Sequence, residues 1–182
     1  MTDLAMHMMD IAQNSLRADA RNVGIDIEER SDDRTLTLRV TDDGKGMSRE
    51  TVEKLVDPFF TTRDTRRVGL GIPFLKMTCE QAGGGLQIIS TEGEGTTIEA
   101  IYRTDNIDCL PMGDVPGYLS LLLKANPEVA FRFTYRVDNT EFILDTEELR
   151  EQGIDWADAG MLAAIKEYIG ENMNAINSTV NR

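Results

Sequence analysis

The sequence predicts an α+β fold, a two-layer sandwich whose mixed, mostly antiparallel sheet carries helices on one face. Three observations lead there. Segments of period 3.6 and of period 2 follow one another as helix–strand–strand–helix–helix–strand–strand over the first hundred residues. Two strand pairs are joined by short turn-forming tracts, "RSDD" and "EGEG", which suits antiparallel hairpins. The first helical segment sets Leu4, Met8, Ile11 and Ser15 on one stripe, a face that needs a sheet or another helix to cover it.

The elements follow in order. Residues 3–18 read as a helix capped by Thr2 or Asp3. "NVGIDIEE" and "TLTLRV" alternate and read as strands. Ser48 caps a short helix over "RETVEKLV", with Glu50 in its first turn, where the helix dipole favours acids. "PFFTTRDTRRVGLGI" has neither period and reads as a loop. "PFLKMTCEQA" tolerates Pro73 in its first turn and stops at "GGG", so it reads as a helix. "LQIIST" and "TTIEAIY" form the last hairpin of this unit. The expected organisation is a domain over 1–104, a Pro/Gly-punctuated linker over 105–114, and an acidic extension over 115–182. In the extension we expect a helix at "YLSLLLKAN", strands at "EVAFRFTYRV" and "EFILDT", and a long last helix. Its stripe is Leu162, Ile165, Ile169 and Met173, with Trp156 as a packing anchor. The strand at "FRFTYRV" turns Phe131, Phe133 and Tyr135 to one side, for which core packing is the default, and Arg132 and Arg136 to the other.

Composition narrows the function classes. The 182 residues carry a net charge of −13, of which residues 105–182 hold fourteen acids against six bases. That balance opposes broad nucleic-acid binding, which needs clustered cations. No apolar run approaches the roughly 20 residues of a membrane span. The start lacks a secretory pattern, so a cytoplasmic location is expected. Two cysteines, Cys79 and Cys109, without metal-type spacing read as reduced thiols, and the single His7 excludes a multi-histidine zinc site.

Four short stretches carry chemistry. On the first helix, His7, Asp10 and Asn14 share an edge at spacings of three and four. Asp10 and Asn14 form an oxygen pair suited to magnesium and a water, and Asp10 can serve as general base. The plain alternative is a solvated helix face. In "DDGKGM", Asp42 ends a strand and Gly44 and Gly46 let backbone approach a flat ligand. A carboxylate there accepts from an exocyclic amine and so selects adenine over guanine, although a polar turn would look the same. In "VGLGIPF", Gly69, Leu70 and Gly71 precede a helix, a ready phosphate site, and Arg63, Arg66 and Arg67 lie just before it. In "GEGTT", Gly95 serves a turn and Thr96 offers a hydroxyl that can share a water with Asp42.

In this order, "DIAQN", "DDGKGM", "DPFFTT…GLGI" and "GEGTT" resemble the boxes of the GHKL superfamily ATP-binding domain. Gyrases, Hsp-ninety chaperones, sensor histidine kinases and mismatch-repair ATPases share that domain, and the resemblance covers about residues 1–103. It implies a Bergerat-type fold and the cofactors ATP and Mg2+. It also implies roles: Asn14 as metal ligand, and Asp10 where hydrolysing members carry a glutamate base. Asp42 looks like the adenine aspartate beside Gly44, Gly46 and Met47; Gly69, Leu70 and Gly71 like the phosphate-facing lid end; Thr96 like the second adenine contact.

Three departures qualify the resemblance. Asp10 is one methylene shorter than glutamate, which implies slow hydrolysis. The lid between Phe60 and Gly69 is eight residues long, which implies a loosely ordered cover. The chain begins almost at the first box, without a preceding dimerisation helix bearing a phospho-accepting histidine, and His7 reads as structural. The resulting expectation is a stand-alone kinase-type subunit that acts on or regulates a protein partner, with a homodimer also open. The alternatives are an ATP-hydrolysing switch and a non-catalytic nucleotide-binding module.

Overall fold

The computed structural model describes residues 3–56, 71–156 and 158–180. Helix α1 spans Leu4–Arg17, and the Asp3 carboxylate accepts from the Met6 amide at 2.8 Å. Two further amides at this end, those of Leu4 and Ala5, donate to the carbonyls of Pro111 and Met112. The tract after residue 104 thereby satisfies donors that a helix start leaves open. Strands β1 (Asn22–Arg30) and β2 (Thr35–Asp42) pair antiparallel, and α2 covers Arg49–Leu55 under its Ser48 cap. Helix α3 spans Gly71–Gln81, opening two residues before Pro73, followed by the hairpin β3 (Gly85–Thr91) and β4 (Gly95–Arg103).

Beyond the linker, α4 spans Val115–Ala125. It starts before Tyr118 because Asp114 caps it through the Gly117 amide at 2.9 Å and Pro116 fits a first turn. Strands β5 (Ala130–Val137) and β6 (Thr140–Asp145) follow, then α5 (Thr146–Glu151) and α6 (Ala159–Val180). Helix α5 was not expected, although Asp145 as cap and Glu147 and Glu148 in the first turn are the usual signal of a helix start.

One six-stranded sheet results, in the order β3-β4-β2-β1-β5-β6. Four of its pairings are antiparallel; β1 and β5 run parallel, from Asn22 opposite Ala130 to Glu29 opposite Val137. The sheet is therefore mixed and mostly antiparallel, as the sequence predicts. Inward positions alternate along it: Val23, Ile25 and Ile27; Leu36, Leu38 and Val40; Ile98, Ala100 and Tyr102; Phe131, Phe133 and Tyr135. They form one continuous core with Leu4, Met8 and Ile11 of α1, Leu75 of α3, Leu119 and Leu122 of α4, and Ile169 of α6. The opposite face carries cross-strand ion pairs, Arg39 with Glu99, Arg136 with Glu28 and Glu141, and Arg132 with Asp145. Exposed pairs of this kind are each worth little. Among the described residues, no helix is long and apolar enough to cross a membrane.

Candidate functional site

Asp42 is the last residue of β2, two positions after buried Val40, so its side chain leaves the sheet on the helix-covered side. Its cross-strand partner is Thr96 on β4. The carboxylate is held from two sides: Ser15 Oγ of α1 donates to Oδ2 at 2.5 Å, and the Gly44 amide donates to Oδ1 at 2.9 Å. A carboxylate oxygen can accept more than one hydrogen bond, so this half-buried group keeps acceptor capacity for a ligand amine. Thr96, 9% exposed, has its hydroxyl 2.8 Å from Ser90 Oγ, which also accepts from the Met47 amide at 2.8 Å. The "DDGKGM" and "GEGTT" stretches are thus wired to each other through Ser90.

The glycines explain how closely the two stretches pack. Gly46 has φ +65°, and a Cβ there would lie 1.8 Å from the Thr91 carbonyl oxygen; Gly95 has φ +117°, and its Cβ would lie 1.9 Å from the Asp42 carbonyl oxygen. Both distances are impossible for a real side chain, so no other residue fits without moving backbone. At Gly44 the same space is taken by Ala18, whose carbonyl oxygen would be 2.7 Å from a Cβ. The close approach that demands glycine here is between parts of the protein itself.

The two carboxylates of the opening "DD" divide the labour. Asp43 accepts from the Arg21 and Asn22 amides and from Asn22 Nδ2, at 2.7 to 2.8 Å. Its slight burial would raise its pKa, but those hydrogen bonds outweigh burial and hold it below the ordinary carboxylate value. Asp43 therefore fixes the loop, and Asp42 faces the helical layer.

The second cluster lies along α1. Asp10 and Asn14 are half-buried, and the first residue of α3 comes against Asp10: a Cβ on Gly71 would sit 3.3 Å from Asp10 Oδ2. The positive end of α3 thus abuts this carboxylate. Asn14 Oδ1 accepts from Arg17 Nη1 at 2.7 Å on the exposed side of the helix. Arg63, Arg66, Arg67, Gly69 and Leu70 lie outside the described residues.

His7 does not share the accessible edge with Asp10 and Asn14. It is fully buried, its Nε2 lies 3.4 Å from Thr78 Oγ1 of α3, and its Nδ1 has no partner among the described residues. Burial, partly opposed by the nearby Asp10 charge, lowers its pKa below the ordinary value. Ser15 is the residue that sequence reasoning assigned to packing alone. Its signal was its place beside Asn14, on the stripe that faces the sheet where Asp42 ends.

Comparison with known proteins bears on this arrangement. Residues 2–106, more than half of the chain, match the family model described as Histidine kinase-, DNA gyrase B-, and HSP90-like ATPase. Sensor histidine kinase ZraS of Escherichia coli (strain K12) is 29% identical over 94 residues, covering 52% of this chain and 20% of that protein. ZraS of Salmonella typhi is 33% identical over 94 residues, covering 50% and 20%. Sensor protein kinase GraS of Staphylococcus aureus (strain Newman) is 29% identical over 105 residues, covering 56% and 30%. The similarity thus spans less than a third of the length of these relatives.

Among solved structures, the Aquifex aeolicus MutL ATPase domain complexed with ADP superimposes with a TM-score of 0.50 and 21% identity, covering 80% of this chain and 63% of that one. The N-terminal domain of a DNA repair protein gives 0.53 at 15% identity, covering 80% and 53%. These two likenesses concern the fold, and at 80% coverage they reach past residue 106. The ordered boxes, the mixed sheet and the family match agree: the chain belongs to the histidine kinase-, DNA gyrase B- and HSP90-like ATPase family.

Proposed function

We propose that the chain binds Mg-ATP and works as a kinase-type subunit on a protein partner. The observation that carries the nucleotide reading is Asp42. Its carboxylate sits at the end of β2, aimed by Ser15 and Gly44, beside Thr96 and on the same side as Asp10, Asn14 and the start of α3. A fixed acceptor of this kind takes the exocyclic amine of adenine and meets a repelling carbonyl in guanine. ADP in the solved MutL domain supports the same ligand class.

The donor set also fits magnesium. Such an ion is usually held by one or two protein oxygens together with substrate phosphates. Asn14 would supply its Oδ1, releasing Arg17 on the exposed side of α1. Bound there, the ion neutralises phosphate charge. The α3 amides add a positive dipole end at the phosphates. Asp10, beside Gly71, is within the same cluster to orient or deprotonate the attacking group.

The names of the sensor kinases among the relatives favour phosphotransfer over simple turnover. The test is incubation with γ-labelled ATP and Mg2+, alone and with candidate protein substrates. Label on a second protein supports the kinase reading. Released phosphate that disappears in Asp10→Asn supports the second reading, an ATP-hydrolysing switch. Unchanged ATP affinity in a folded Asp42→Asn protein would overturn the nucleotide site itself.

A further inference from the structure

A polar cluster in the core plays no part in the nucleotide chemistry. Thr78 Oγ1 of α3 donates to the Leu75 carbonyl at 3.0 Å, within its own helix. The same oxygen lies 3.1 Å from Tyr102 OH of β4 and 3.4 Å from His7 Nε2 of α1. His7 and Tyr102 are fully buried and Thr78 is 6% exposed.

The proton count closes in one way. Thr78 has a single hydrogen, spent on Leu75, so its two lone pairs accept from Tyr102 and from His7. His7 is then neutral with its proton on Nε2, and Nδ1 remains a bare acceptor without a partner among the described residues. The opposite tautomer would bury an unpaired N–H donor, which is the more costly choice.

The three elements tied at Thr78 each carry residues of the candidate site, which β2 completes with Asp42. Helix α1 carries Asp10 and Asn14, α3 begins at Gly71 against Asp10, and β4 carries Thr96. Apolar side chains slide past one another at little cost, whereas a hydroxyl with two buried donors has one satisfying position. We propose that Thr78, with His7 and Tyr102, positions α3 along α1 so that the α3 start meets the phosphate end of the nucleotide, making all three positioning residues. The proposal rests on the nucleotide reading above. It adds a specific expectation: the cluster matters to the phosphates and not to the adenine.

The experiment compares affinities for ATP, with Mg2+, and for adenosine in the wild type and in Thr78→Val, which keeps shape and loses the hydroxyl. Thr78→Ser, which keeps the hydroxyl, is the rescue. ATP should bind Thr78→Val about 10-fold more weakly, equal to about 1.4 kcal/mol. Adenosine affinity should stay unchanged and Thr78→Ser should restore ATP binding. Tyr102→Phe should shift the ATP to adenosine ratio in the same direction. An unaltered ratio in Thr78→Val, equal weakening of both ligands, or failure of serine to restore ATP binding overturns the positioning role while leaving the nucleotide site standing. A wild type with affinity for neither ligand overturns both.

Discussion

Ser15 Oγ donates to Asp42 Oδ2 at 2.5 Å, joining the inner face of α1 to the end of β2 across 27 residues of sequence. Ser15 is 3% exposed, so its end of the bond is shielded from water. A hydrogen bond to a charged group contributes about 1.5–3 kcal/mol, and this one also fixes the direction of the carboxylate. Among the described residues, Ser15→Ala leaves Asp42 held by the Gly44 amide alone. ATP affinity should fall about 10-fold while preference over GTP survives, because the acceptor itself remains. Competition titrations with both nucleotides check this; equal affinity for wild type and Ser15→Ala would remove the aiming role.

Asn14 offers a second, separable expectation. Its Oδ1 faces Arg17 on the exposed side of α1, and a bound cation would displace that guanidinium. Arg17→Ala therefore removes a competing positive charge, and Mg-dependent ATP affinity should rise a few-fold. Asn14→Ala should reduce it by about 10-fold and make the residual binding insensitive to EDTA. Titrations with and without the metal decide. Magnesium dependence that survives in Asn14→Ala would place the ion elsewhere.

Gly46 tests the wiring between the two loops. At φ +65°, with Thr91 O 1.8 Å from any Cβ, alanine must both strain its own backbone and push the β3–β4 hairpin away. The left-handed conformation alone costs about 1–2 kcal/mol. With hairpin displacement added, a loss above ~2 kcal/mol is expected, lowering Tm by about 4–8 °C for a chain of this size. Thermal unfolding of Gly46→Ala measures it. By contrast Gly93, where a Cβ would meet nothing within 4 Å, carries only its φ of +80°, so Gly93→Ala should cost less.

Which features were legible in the sequence follows from the range of the forces involved. Asp42 was readable because strand alternation and a turn tract meet at one residue, both local signals. The hairpins and the first helix were readable for the same reason. Ser15 was not, because a small polar residue on an apolar stripe packs as core until its partner, 27 residues away, is known. The parallel seating of β5 on β1 was also hidden. No short turn links those strands, and what favours the pairing, the shared burial of pairs such as Ile25 with Phe133 and the ion pair of Arg136 with Glu28, joins residues about a hundred positions apart. Helix α5 was missed although its cap is local; its six residues are too few to display a period.

His7 gives a prediction about stability and acid. Its pKa in the folded chain lies below the ordinary 6.5, chiefly because burial penalises the charged ring. Below pH 6.5 the unfolded chain therefore takes up a proton that the folded chain refuses. Stability contributed by this neutral histidine is complete above 6.5 and is lost progressively as pH falls from 6.5 toward the folded value. The slope is at most about 1.4 kcal/mol per pH unit. Among the described residues no acceptor faces Nδ1, so a second proton there would add an unpaired buried donor to the cost of burying the charge. His7→Gln keeps an N–H donor for Thr78 and does not titrate. Urea unfolding at pH 7.5, 6.5 and 5.5 should show wild type losing stability faster than His7→Gln over the lower interval. Parallel slopes for the two proteins would mean that His7 takes up its proton equally in the folded and unfolded chains, and the assigned neutral tautomer would fall with it.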